Sequence, residues 1–156
     1  MPNWVRNKVW FTGTEKDVKA LREFVTSEEC EFDFNKIVPI PACAEDVLSW
    51  CQTKWSTKWN AQNVVWEGDE FVSFDTAWSY PEEIFFELAE RFPAVKIYVQ
   101  FADEFIGQNC GEAGFNDEKV GYNWMEYHSD EEFACNIWGY DYRDYLEDME
   151  EVYADY

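Results

Sequence analysis

The sequence predicts an α+β protein of the ferredoxin-like kind, a split β-α-β sandwich in which an antiparallel sheet carries two helices. Three observations predict it. Two successive stretches read as strand, helix, strand; a chain of 156 residues suits one such domain plus an appendage; and a composition 47% hydrophobic and 20% aromatic supplies a core despite a net charge of −21.

Residues 5–12 (VRNKVWFT) are β-branched and aromatic with partial alternation, and Gly13 closes them off, which predicts a strand. Thr14 then has the character of an N-cap, Glu15 and Asp17 favour a helix start, and Val18, Leu21, Phe24 and Val25 fall on one helical face. Phe32, Phe34 and residues 37–40 predict a second strand, stopped by Pro39 and Pro41, because proline cannot donate to a central ladder. Residues 42–68 read as an insertion over one end of the core, with a short helix near 44–51 and then Trp55, Trp59 and Trp66.

Residues 70–76 (EFVSFDT) alternate as a strand, Pro81 suits a first helical position, and Ile84, Phe85, Leu88 and Phe92 make a helical stripe ended by Pro93. Val95, Ile97, Val99 and Phe101 alternate strictly, giving the clearest strand in the chain. After them come a glycine-containing loop at 107–114, a strand at 119–127 and a closing helix at 141–156. The expected organisation is therefore a ferredoxin-like core at 1–105 with a Trp-rich insertion at 42–68, and an acidic C-terminal extension at 106–156 packed on the same domain.

Four words of the sequence resemble a family of phage and plasmid proteins described as YubB-type. They are MPNWV with Asn7, FNKIVPIP at 34–41, WSTKWNA at 55–61 and FDTAWSYP at 74–81. The resemblance spans about the first 105 residues, and it departs at Ser56, where the family favours glycine, and at Tyr80, where it favours a second proline. It implies a ferredoxin-like fold and a mobile-element origin. It supplies no catalytic mechanism and no site residue.

No catalytic set emerges. His128 is the single histidine and has no adjacent nucleophile, so it reads as a solvated or salt-bridged side chain. The glycines at 107, 111 and 114 lack the lysine and hydroxyl of a phosphate loop, and Glu112 would oppose phosphate. Cys30, Cys43, Cys51, Cys110 and Cys135 contain no close pair, which disfavours structural zinc; the runs Asp117-Glu118 and Asp130-Glu131-Glu132 lack the spacing of a calcium loop. No cofactor is expected. Residues 1–4 have no signal-peptide character and no stretch approaches the roughly 20 apolar residues of a membrane span, so the expected location is the cytoplasm of a host cell.

Charge is the informative feature. Residues 103–156 carry a net −14 and residues 1–102 a net −7, an asymmetry that repels nucleic acid and anionic membrane and attracts a basic protein surface. In the closing helix Tyr142, Tyr145, Leu146, Met149, Val152, Tyr153 and Tyr156 form one stripe, with acids on the other faces. Its acids recur at about the spacing of phosphates along one DNA strand. The candidate partner-binding residues are Asp117, Glu118, Asp130, Glu131, Glu132, Asp141, Asp144, Glu147, Asp148, Glu151 and Asp155, and the expected partner is a host protein or ribonucleoprotein with a basic nucleic-acid-binding groove. An alternative is a small-ligand pocket for a nucleotide, built from Trp55, Lys58, Trp59, Asn60 and Trp78.

Overall fold

The structure is a computed structural model and describes residues 2–154. β1 (Trp4–Thr12) alternates faces as expected: Val5, Asn7, Val9 and Phe11 turn inward, while Trp4, Arg6, Lys8 and Trp10 share the opposite side. α1 (Glu15–Val25) starts at Thr14, whose hydroxyl accepts from the Asp17 backbone N–H, and it buries Val18, Leu21 and Val25.

The next segment departs from the expected strand. Residues 34–37 form a single-turn helix, α2 (Phe34–Ile37), because Asp33 accepts from the Asn35 N–H as an N-cap and Phe34 and Ile37 then point together into the core. α3 (Val47–Lys54) follows, capped by Asp46. The second strand of the split unit is instead β2 (Gln62–Glu67), inside the stretch expected to be an insertion. It forms a hairpin with β3 (Phe71–Ala77), turning at Gly68. α4 (Glu82–Arg91) begins after Pro81, which is the N-cap residue and not the first helical one, and leads to β4 (Lys96–Asp103).

Past β4 the expected glycine loop is largely a strand, β5 (Cys110–Phe115), followed by β6 (Trp124–His128), which begins later than expected. An unexpected helix, α5 (Glu131–Trp138), ends at left-handed Gly139, and α6 (Tyr142–Ala154) closes the described chain.

The sheet order is β2-β3-β1-β4-β5-β6, with every neighbouring pair antiparallel. Its first four strands have the ferredoxin-like arrangement, with α1 and α4 as the crossovers; β5 and β6 extend the edge beside β4. One main core joins α1, α2 and α4 to the inward residues of the sheet, among them Phe74, Phe85, Val99 and Phe101. On the opposite face α5 covers one end, burying Ala102, Cys110, Ala134 and Ile137. No described helix is long and apolar enough to cross a membrane.

Ser56 sits at φ 62°, where glycine carries no Cβ penalty. Tyr80 stacks on Phe101 at 4.3 Å and donates its hydroxyl to Glu82 at 2.6 Å.

Candidate functional site

The acidic residues of the last third divide by what holds them. Asp117 is buried at the β5–β6 turn and accepts from the Trp124 indole N–H at 3.1 Å and the Lys119 N–H at 3.2 Å, with Lys96 Nζ at 3.5 Å. Those contacts, the indole N–H first, hold its carboxyl below the usual carboxylate range. Asp117 is thus an internal tie, and Glu118 beside it is exposed. Both lie at the opposite end of β6 from Asp130, about 15 Å along the strand.

Asp130, Glu131, Glu132, Asp141, Asp144, Glu147, Asp148 and Glu151 come together on the α5–α6 unit. Asp130 caps α5, accepting from the Glu132 and Phe133 N–H groups at 3.0 and 3.2 Å; Asp141 caps α6, accepting from the Asp144 N–H at 3.1 Å. Each keeps its outer surface in solvent, as do the other six. Asp155 lies outside the described residues.

α6 is held more lightly than its stripe of apolar residues leads one to expect. None of its residues is buried; Tyr142, Tyr145 and Met149 are half-buried, while Leu146, Val152 and Tyr153 are exposed. Beneath it runs an open groove of ≈ 670 Å³ lined by Phe105, Ile106, Tyr140, Tyr145, Met149 and Tyr153. Partial burial, and Glu131 nearby, push the Tyr145 hydroxyl up from its ordinary range. The unit is therefore an acidic arm with an aromatic underside.

Of the alternative pocket residues, Trp55 and Asn60 are engaged inside the fold, while Lys58, Trp59 and Trp78 meet at its surface. Trp55 is a core residue, 2% exposed, packed edge-on against Phe34 and donating its indole N–H to the Val38 carbonyl at 2.8 Å. Asn60 is spent internally, accepting from the Phe34 and Ala61 N–H groups and donating to Asp33. Trp59 and Trp78 remain at the surface, and Lys58 Nζ lies 4.5 Å from both ring centroids as a cation–π partner.

Strand parity produces a second surface that a reading for core residues passes over. Phe71, Trp10, Tyr98 and Trp124 form a row across the open face, linked by centroid separations of 5.1, 5.5 and 6.3 Å. The adjacent row holds Ser73, Lys8, Gln100, Glu112 and Glu126 in register. The outward set of β1 was the available signal, since Trp10 falls on the same side as Arg6 and Lys8.

The sheet order and paired crossovers define a ferredoxin-like α+β protein that carries an acidic helical arm beyond its fourth strand. The chain belongs to the family of the ferredoxin-like domain in Api92-like protein, whose model matches residues 54–154. That match takes in β2 through the end of α6, so the arm falls within the family's domain, and β1, α1, α2 and nearly all of α3 precede it. No curated protein and no solved structure matches the chain.

Proposed function

We propose that the chain is a protein-binding inhibitor, encoded by a phage or other mobile element, of a host nucleic-acid-targeting defence complex of the CRISPR-Cas or restriction type. It acts by laying the acidic arm in a basic groove that otherwise holds nucleic acid, without itself binding nucleic acid or membrane. The observation that carries this reading is the charge pattern of α6, which works against its own helix. Asp144–Asp148 and Glu147–Glu151 are like-charge pairs four residues apart, each costing a few tenths of a kcal/mol. The last turn has no basic residue, while Glu150 and Glu151 oppose the helix dipole there. Since no α6 residue is buried, packing does not demand these acids either.

Five acids over the 13 residues of α6 place about one carboxylate per 4 Å of axis, close to the 3.4 Å phosphate spacing of a single DNA strand. A field of this sign also speeds encounter with a basic groove. The mobile-element origin implied by the YubB-type resemblance supports a defence target.

The test is affinity capture from host lysate at low and high salt, with and without duplex DNA as competitor. A variant reversing Asp144, Glu147, Asp148 and Glu151 to lysine runs in parallel. A basic nucleic-acid-binding complex, captured at low salt, displaced by DNA and lost in the variant at unchanged melting temperature, is the expected result. Equal capture by the variant, or capture indifferent to salt, would remove the arm from the interface.

A further inference from the structure

We infer that Glu112, Glu126 and His128 form a binding site for one divalent first-row transition-metal ion, bridging β5 and β6 on the open face of the sheet. Glu112 and Glu126 are directly opposed in the antiparallel ladder, and His128 stands two residues further along β6, opposite Cys110. Residues 14 and 16 positions apart in sequence thereby present one imidazole nitrogen and two carboxylates whose ligand atoms all lie within 4.8 Å of one another.

His128 Nε2 is 3.5 Å from Glu112 Oε1. Bonds of about 2.0–2.1 Å in a tetrahedral site separate two ligand atoms by roughly 3.3 Å, so this pair already stands near ligating separation. Directly opposed like charges destabilise a strand pair, and a dication between Glu112 and Glu126 reverses the sign of that contact.

The surrounding groups orient the ligands. The Tyr98 hydroxyl donates to Glu112 Oε2 and accepts in turn from Gln100 Nε2 at 3.2 Å, which leaves Oε1 as the free oxygen on the His128 side. The His128 ring packs against Phe133 of α5 at 4.9 Å, and its backbone carbonyl accepts from the Cys110 thiol at 3.0 Å. Gly111 allows the β6 backbone to approach closely, as Gly114 does the Trp124 ring. The site is open on one side, with the His128 and Glu112 side chains 26% and 25% exposed and Glu126 at the surface, so a bound ion keeps access to solvent.

A mixed nitrogen and oxygen set suits Zn²⁺ or Mn²⁺ better than Mg²⁺ or Ca²⁺, which prefer oxygen alone. Three protein ligands leave at least one coordination position, open to water or to a side chain of a partner. The ion would tie β6, and through it α5 and the acidic arm, to the rest of the sheet.

His128 is the only histidine, so its imidazole signals report the site without assignment ambiguity. The full chain, stripped with chelator and kept reduced, is titrated with Zn²⁺ by calorimetry and by NMR of that imidazole. Cys43→Ser serves as background because Cys43 is the exposed thiol. The expected result is one saturable equivalent that shifts the His128 signals, and that weakens tenfold or more in both Glu126→Gln and His128→Gln. Near-UV circular dichroism checks that each variant keeps its fold. Weak multi-site binding that leaves the imidazole unmoved, equal affinity in His128→Gln, or a thiolate charge-transfer band when Co²⁺ replaces Zn²⁺ would each overturn the assignment.

Discussion

Replacing Gly111 and Gly114 by alanine, one at a time, separates two ways in which a missing Cβ can matter. At Gly111 the added carbon would lie 2.3 Å from the Glu126 carbonyl oxygen, 3.0 Å from Phe101 Cζ and 3.1 Å from Tyr127 Cα. The first and third are backbone atoms, so relief to an ordinary 3.4 Å contact means parting β5 from β6 by about 1 Å. Ladder bonds near 2.9 Å would stretch beyond useful length, and losing about two of them at about 1 kcal/mol each adds to an overpacking cost of about 1–3 kcal/mol. G111A is therefore expected to cost about 3–5 kcal/mol, or about 6–20 °C in Tm at this chain length. At Gly114 the obstacle is the Trp124 ring, with Nε1 at 2.3 Å. That ring can swing away at the cost of its bond to Asp117, about 1.5–2 kcal/mol. G114A should lower Tm by about 3–8 °C and expose an indole, while G111A should lower it further. Thermal melts read by circular dichroism and tryptophan fluorescence measure both. A G111A protein melting within 2 °C of wild type, or G114A as the more damaging change, would refute the close approach of β5 and β6.

Arg6 forks onto Asp75 at 2.9 and 3.2 Å and lies 4.3 Å under the Trp138 ring, while Asp75 is almost fully buried. R6A is expected to cost about 2–3 kcal/mol by leaving Asp75 with only Asn63, whereas R22A, which breaks the exposed pair with Asp69, should cost less than about 1 kcal/mol in denaturant unfolding. The carboxyl of Asp117 is held below its ordinary range, so its stabilisation is complete above about pH 4 and is lost as pH falls through the lowered value. The Tm difference between wild type and D117N should accordingly stay constant from pH 7 to pH 5 and shrink below about pH 4.

The fold was legible where the apolar period was clear, as in β1, α4 and β4, and most of all in α1, where period and cap agreed. It was misread where a short segment carried both periods. Phe32, Phe34 and Ile37 look extended when read by alternation, yet Asp33 and the three-residue spacing of Phe34 and Ile37 make a capped turn. β2 escaped notice because a register shift between Gln62 and Val65, with Asn63 at φ 52°, breaks its alternation. In α5 the run Asp130-Glu131-Glu132 read only as surface charge, although it is an N-cap followed by an acidic first turn, with Gly139 as the stop. For the candidate site, the sequence supplied the charge of the arm but not the role of Asp117, whose partners Lys96 and Trp124 arrive by tertiary contact. Nor could it bring Glu112 to His128, since strand register alone makes them neighbours.

β1 lies in the middle of the sheet although it is made before every other strand in it. Its Val9 pairs with Val72 on one side and Val99 on the other, 63 and 90 residues further along the chain. At synthesis rates of about 5–20 residues per second, roughly 5–20 s separate the emergence of β1 from that of its second neighbour. Loops of that length must close before either ladder repays the entropy, which favours slow folding with a waiting hydrophobic strand. Trp4, Val5, Val9, Trp10 and Phe11 are thus the segment most in need of shielding on the ribosome, and Arg6 and Lys8 are the charges that interrupt it.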